Sequence, residues 1–515
     1  MNAPFFDDWW NPILVKEVRQ ALRGKYFKIC FWIVLLAVVV AMAGMMVGFL
    51  HDDEITRSEG RNFFVGIFAC LAIAVLAFVP FSAFNAVGAE WEENTFDLLI
   101  ISNLRPRQIV VGKLLGAGVQ TLLFYSTFTP FLVFSSLLRG VDMVNVWIVL
   151  AGAFLYSMVL TLIAIALSTM SRVRFARIVL MFVLGGALIF ATVGGIGAGT
   201  YMIQEPGVIR QPLFWMRAGM VALAAAIAAT YCFAIASNLL AHPEENRSTG
   251  VRLITTGALL LSLWWLHSMT TMVLDREALS AVSITLIVFL MIPGTFFATE
   301  PEQLGRRVEP RVPKNPLLAA LSIPFLPGGG RGLLLYSAHL CLVTWFGLWM
   351  HHVLARSSGQ PLLDEGAAGI LAAALYAFLY VALPSAVLAP FTDRAVLRAA
   401  ARAVVPFMIA TFAFVPAVVG VFLGNHALEN MDHPGNPFFL INEVRNGDLG
   451  KQPAVWMLVA ALAVLALVLN VYRVVVGVRQ VFDASRARAR RASSRGEESL
   501  PPPAPGSAPD ALAGS

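Results

Sequence analysis

Long apolar runs alternate with short polar ones along the whole chain, and none of the runs contains Asp, Glu, Lys or Arg. Twelve such segments occupy residues 29–50, 63–89, 114–138, 144–171, 178–203, 218–241, 253–274, 278–298, 333–355, 367–391, 403–424 and 453–472. Each holds 20 to 28 residues, enough at ~1.5 Å of rise per residue to cross a hydrocarbon core about 30 Å thick. Hydrocarbon offers no hydrogen-bond partner, so a backbone that crosses it must satisfy itself, and a run of this length does so as a helix. The short segments of alternating polarity that a lipid-facing barrel needs do not occur. The pattern predicts an all-α integral membrane protein with about twelve transmembrane helices.

Composition agrees: 58% of the 515 residues are hydrophobic and 13% charged, against ~45–50% and ~25% in a soluble domain. A soluble enzyme, a disordered chain and a collagen-like fibre are excluded. With the N-terminus inside, the cytoplasmic stretches hold 28 of the 37 Lys and Arg and the outer ones 9, a positive-inside bias. The expected location is therefore a plasma (inner) membrane, crossed many times, with both termini cytoplasmic. The net charge of +6 then reflects topology and membrane lipids, and no nucleic acid is expected as a partner. Ala41-Met42-Ala43 has the small residues of a signal cleavage site, but its apolar run starts late and continues past it, so an uncleaved first span is expected. Cys30, Cys70, Cys232 and Cys341 lie alone in different spans and read as buried apolar side chains, with neither disulfide nor metal-ligand spacing.

Ahead of the first span, residues 9–25 read as a basic amphipathic helix that Asn11 caps and Pro12 opens. Ile13, Leu14, Val18, Ala21 and Leu22 share one side, whereas Lys16, Arg19, Arg23 and Lys25 occupy others. Such a helix is expected to lie flat in the membrane interface, as an anchor or as an elbow that couples to a partner. Between the second and third spans, the acidic residues Glu90, Glu92, Glu93 and Asp97 suit the positive start of a helix, with Phe96, Leu99 and Ile100 as its apolar face. Ser102 or Asn103 then caps a second helix opened near Pro106.

These two stretches resemble the permease subunits of ATP-binding cassette transporters of the type-2 export class. The first cytoplasmic loop of that family runs from a glutamate-rich start through Gly-Thr-x-Asp/Glu-x-Leu and Thr-Pro-Leu-Ser-x-x-x-Ile to Gly-Lys, and Glu90, Glu93, Thr95, Asp97, Leu99, Ser102, Leu104, Pro106, Ile109, Gly112 and Lys113 are similar to it. Asn94 departs from the usual Gly and Asn103 from the usual first Pro. Asn11, Pro12, Lys16 and Glu17 resemble the family's N-terminal elbow. The resemblance covers about residues 9–241. It implies a transport subunit, itself no enzyme, with the loop as coupling site for a separate cytoplasmic ATPase that binds the ATP. Glu90, Glu93, Asp97 and Arg107 would hold the docking surface, and Leu104 and Ile109 would seat it. A homodimer or a second permease chain is a further possible partner.

The implied organisation is an elbow (1–28), a six-span permease-like domain (29–241), a linker (242–252), a second six-span half (253–472) that is a diverged repeat or an accessory bundle, and a tail (473–515) that is basic up to Arg495 and then Pro/Ala-rich, the latter part expected to be disordered. The chain has no Gly-x4-Gly-Lys-Ser/Thr, so P-loop hydrolysis is not expected of it and no cofactor or catalytic residue is assigned. Gly328-Gly329-Gly330-Arg331-Gly332 reads as a flexible turn rather than a phosphate cradle. His267 and His339 read as packing histidines, and the absence of acidic or basic residues within the spans argues against ion-coupled transport. Asp52, Asp53 and Glu54 are similar to the acidic pair of membrane-embedded glycosyltransferases, which keeps a transferase using a lipid-linked substrate as one alternative and a non-transporting scaffold as another. His426, Glu429, Asp432 and His433 have the residue types of a metal site but no convincing spacing. The glycines at 185, 186, 194, 195, 197 and 199 suggest a close-packing seam, and Pro80, Pro130, Pro293, Pro384, Pro406 and Pro416 suggest kinks. Asn85, Gln120, Tyr125, Ser126, Thr127 and Thr129 are expected to line a path for an amphipathic or lipid-like substrate.

Overall fold

The computed structural model describes residues 12–49, 57–93, 105–137, 141–170, 174–205, 207–241, 246–270, 276–358, 365–391 and 453–498, with isolated positions at 408, 411, 415, 419, 423 and 436. The described residues are helical, with no strand among them. Eleven of their helices are long and apolar enough to cross a membrane, and the chain is a multi-pass membrane protein. The remaining predicted segment, 403–424, lies outside the described residues apart from five isolated positions. Chain contacts divide the molecule into two compact units, Met1–His242 and Pro243–Ser515.

The first unit comprises α1 (Pro12–Arg23), α2 (Lys25–Phe49), α3 (Arg57–Ala72), a π-helical segment (Ile73–Phe78), α4 (Val79–Glu92), α5 (Pro106–Leu137), α6 (Met143–Met170), α7 (Arg174–Gln204) and α8 (Pro212–Leu240). Its main core gathers Val38 of α2, Phe64 and Phe68 of α3, Phe124 and Phe128 of α5 and Leu184 of α7. Phe27, Phe31 and Phe78 surround the Phe124 ring with centroids 5.6, 6.0 and 6.1 Å away. The expected glycine seam is narrower than its sequence. Only Gly195 and Gly199 meet a neighbour, Leu76 and Phe68 respectively, whereas Gly185, Gly186, Gly194 and Gly197 face open space. At a helix–lipid boundary a glycine needs no partner, so its presence in the sequence did not locate the seam. Pro80 follows the π-helical segment, and Pro130, Pro293 and Pro384 lie inside their helices.

The second unit comprises α9 (Thr249–Thr270), α10 (Arg276–Ala298), α11 (Pro316–Ser322), α12 (Gly329–Ser358), α13 (Glu365–Leu388) and α14 (Pro453–Glu498). Leu279, Ile287 and Leu290 of α10 pack with Leu340, Val343 and Phe346 of α12 and Ile370 and Ala377 of α13. Tyr336 lies where Gly294 leaves room for its ring, and its hydroxyl donates to the Ala377 carbonyl at 2.8 Å. The basic stretch after Tyr472 continues the last span as helix: α14 runs 46 residues to Glu498. Its continuation has a core of its own, with Val481 and Ala484 buried against Val308, Val312, Ala319, Ile323 and Leu326. Ser485 and Arg488 donate to the carbonyls of Pro313 and Val312 at 2.8 and 2.6 Å. Residues 499–515 lie outside the described residues.

The cysteines form no disulfide, and none is fully buried: Cys30, Cys70 and Cys232 are half-buried and Cys341 is exposed. A small apolar side chain on a bundle surface facing hydrocarbon loses nothing by exposure. Asp52, Asp53 and Glu54, and His426, Glu429, Asp432 and His433, lie outside the described residues.

Candidate functional site

At one end of the first unit, side chains from three elements form an alternating chain of charge. Lys16 of α1 lies 2.9 Å from Glu90 of α4, Glu90 lies 2.9 Å from Lys113 of α5, and Lys113 lies 2.7 Å from Glu17 of α1. The Lys113 side chain is 4% exposed and sits between two carboxylates. The helical spacing explains the convergence. Adjacent Lys16 and Glu17 both reach one end of α4 and α5 because Leu14 is buried and Gly116 admits α1, a Cβ there lying 3.0 Å from the Glu17 Cβ. Four residues singled out from two separate motifs thus meet in one cluster.

The acidic start of the loop is not the start of a helix. Glu90 and Glu92 belong to the last turn of α4, where the helix dipole disfavours negative charge. Cations offset the penalty from two sides: Lys113 and Lys16 on one, and on the other Arg177 of α7, which donates to the Gly88 carbonyl at 2.9 Å and to Glu92 at 3.0 Å. Glu90 is consequently buried, at 7% exposure, and turned to Lys113 rather than to an exposed docking face. Glu93 and Arg107 are exposed. Ile109 is buried with Val87, Val110, Leu162, Ile165 and Leu240. Pro106 opens α5, and the Gln108 side chain accepts the N–H of Arg105 at 2.9 Å, as the residue three positions after an N-cap can. Asn11, Thr95, Asp97, Leu99, Ser102, Asn103 and Leu104 lie outside the described residues. Pro12 is the first residue of α1.

A second ionic cluster, in the second unit, has no counterpart in the sequence reading. Arg252 and Arg331 are wholly buried and Arg473 nearly so. Arg252 pairs with Glu300 at 2.7 Å and Arg473 with Glu302 at 2.8 Å. Arg331 reaches the carbonyls of Pro327 and Glu302, the Gly477 carbonyl at 2.8 Å and the Gln480 side chain at 3.2 Å. The glycine-rich stretch is the tightly packed start of α12 and not a flexible turn. Gly328, at φ 142°, occupies the left-handed region, and a Cβ at Gly330 or Gly332 would collide with the backbone of Arg473 or Phe297. Two of the N–H groups that a phosphate would use are already taken: Gly328 donates to Glu300 at 2.9 Å and Gly330 to Glu302 at 3.0 Å. Two carboxylates therefore cap α12 from within the chain. The available signal was five charged residues at the borders of apolar runs, with three glycines in a row beside one of them.

Of the polar groups expected to line a path, Asn85, Ser126 and Thr129 are exposed and Gln120, Tyr125 and Thr127 half-buried, and most are hydrogen-bonded within the protein. Ser126 and Thr127 donate to the Leu123 carbonyl, each at 2.9 Å, Thr129 to Tyr125 at 2.7 Å, and Tyr125 to Leu150 at 2.7 Å. Gln120 accepts from Ser82 at 3.2 Å, and Asn85 is exposed. Hydroxyls in an apolar medium gain most from the nearest carbonyl, usually one helical turn back. Both histidines singled out in the sequence pack: His339 contacts Thr256 at 2.9 Å and His267 stacks on Trp349; His351, wholly buried, and His352 also lie within α12. Among the described residues no group of three His, Cys, Asp or Glu is placed to hold a metal ion.

No protein-family model matches the chain, and a search of curated proteins returns no match.

Proposed function

We propose that the chain is the membrane-spanning subunit of an ATP-driven exporter of the type-2 class, worked by a separate cytoplasmic ATPase that docks beside the charge cluster. The observation that supports this reading is the Lys16–Glu90–Lys113–Glu17 chain. It ties the elbow helix to both helices that flank residues 94–104, so a push on that surface moves α1, α4 and α5 together. Glu93 and Arg107 offer an exposed acidic and basic contact at the same end. The Lys and Arg bias along the sequence supports a cytoplasmic position for this end of the first unit. The substrate is amphipathic or lipid-like and enters sideways from the bilayer, a reading supported by the largely apolar surfaces of the described spans.

The test begins with the gene's neighbours. A reading frame encoding Gly-x4-Gly-Lys-Ser/Thr is co-expressed with this chain, and the two are purified together in detergent. Co-purification that is lost in Glu93→Arg/Arg107→Glu, with melting temperature unchanged, is the expected result. An ATPase that fails to bind, or binds the double variant equally well, overturns the proposal.

A further inference from the structure

α11 turns its larger apolar residues outward. Asn315 caps it, its side chain accepting the Leu317 N–H at 2.9 Å, and Pro316 opens it. The small Ala319 and, one turn on, Ile323 are buried against α14. Leu317, Leu318 and Leu321, on the other side, are 55–74% exposed. A helix that faced water would bury the leucines and expose the alanine.

Hydrogen bonds set the level of this patch. Arg252, the residue before the apolar run of α9, donates to the Pro324 carbonyl at 2.8 Å, and Thr249 donates to that of Phe325 at 2.6 Å. The turn that follows α11 is thus held where α9 enters its apolar layer. Leu321 and Leu317 precede Pro324 by three and seven residues, at most about 5 and 11 Å along a helix. The head-group layer on each side of a bilayer is about 5–8 Å deep, so the leucines stand within it or at its outer edge. The stretch ahead of α11 adds charge: Arg306, Arg307, Arg311 and Lys314 are exposed, and Glu309 is the one exposed acid among residues 303–322.

Level and charge together decide between occupants. A second copy that met this patch with its own would set the four cations against four like charges. Protein interfaces are anchored by Trp, Tyr and Arg with leucine under-represented, and α11 contains no aromatic residue. Leucines beside Lys and Arg are the composition of segments that lie in a lipid interface, and the cations complement anionic head groups. We propose that α11 and the basic stretch ahead of it bind the surface of an anionic bilayer, the leucines among the lipid glycerols and upper acyl carbons and the four cations on the phosphates. The surface stands whether or not the chain is an exporter.

The test uses the full chain with photo-reactive p-benzoylphenylalanine in place of Leu321, in nanodiscs of phosphatidylcholine and phosphatidylglycerol in equal amounts. After irradiation the peptide that carries the probe is weighed. The expected adduct is phospholipid, with phosphatidylglycerol enriched about fivefold or more, the preference that one cation near the surface supplies. The same probe at Arg490, exposed on α14 and about 25 Å along the helix from Arg473, is the control and should take up less than about a tenth as much lipid. Replacing Arg306, Arg307, Arg311 and Lys314 by Gln should abolish the preference while the adduct and the melting temperature stay as they were. A cross-linked dimer, an adduct with another protein when whole cells are irradiated, a lipid yield at Leu321 no greater than at Arg490, or no preference for phosphatidylglycerol each overturns the assignment.

Discussion

Ser157 of α6 donates its hydroxyl hydrogen to the carbonyl of Val75 at 2.6 Å, and Pro80 is the reason that this carbonyl needs a donor. In the π-helical segment each N–H reaches five residues back, as that of Val79 does to the Ala74 carbonyl. The next donor in that register is residue 80, and proline has none. Val75 is wholly buried, so its carbonyl finds a partner on another helix.

Ser157→Ala should therefore lower stability by about 1 kcal/mol, the usual cost of a buried group left without its hydrogen bond. Pro80→Ala restores an N–H at the right place. In thermal unfolding in detergent the double variant should lose less than the two single losses added together, a coupling of the kind that contacting groups show. Strict additivity would mean that Ser157 and Pro80 do not share the Val75 carbonyl.

Lys113 and Lys16 both contact Glu90, but the side-chain exposures are 4% and 45%. Lys113→Ala strands Glu17 and Glu90 facing each other at a packed helix junction, and removing one partner from a buried ionic group costs about 3–5 kcal/mol. Lys16→Ala removes a solvated contact worth no more than about 1 kcal/mol. Melting curves should separate the two variants widely, with Lys113→Ala partly rescued by Glu17→Gln. Equal shifts would show that the cluster is solvated.

Two glycines give opposite expectations for one substitution. Gly330 lies against the Arg473 backbone, which has nowhere to move, whereas Gly186 has no neighbour within 4 Å of a Cβ. Gly330→Ala should unfold the second unit or cut its yield severely. Gly186→Ala, in the middle of a helix, should be neutral or stabilising by up to ~1 kcal/mol. Expression yield and melting temperature read both, and a mild Gly330→Ala would mean that the glycine-rich stretch is loose after all.

The spans were legible in the sequence because lipid imposes one coarse requirement, about twenty residues without charge, that needs no knowledge of neighbours. Boundaries drawn at the first charged residue were too short for the same reason. Lys113, Glu90 and Arg473 lie inside helices, their charges matched by groups up to 171 residues away, which no local pattern reports. The motif around residues 90–113 marked Glu90 and Lys113, but not that they pair, because the third partner, Glu17, comes from the elbow. The stretch Ala484 to Ala492 did carry a readable signal, an Ala/Arg alternation of high helix propensity that the positive charge obscured.

The three functional classes kept open by the sequence order the same substitutions differently. An exporter needs the exposed Glu93 and Arg107 to transmit a push, so Glu93→Arg or Arg107→Glu should cut transport-coupled ATP hydrolysis of the reconstituted complex at least tenfold, the consequence of losing roughly 1.4 kcal/mol of coupling. Asp52→Asn and Asp53→Asn should leave it within about twofold, since the exporter reading gives neither carboxylate a role. A transferase reverses the order, because its acidic pair would hold a metal or serve as base. In a scaffold neither pair matters while the bundle folds, and Lys113→Ala would then be the one damaging change, through stability alone. Assaying all five variants in the same vesicles, each with its melting temperature, separates loss of coupling from loss of fold. Activity that follows melting temperature across the whole set would remove Glu93 and Arg107 from the coupling surface.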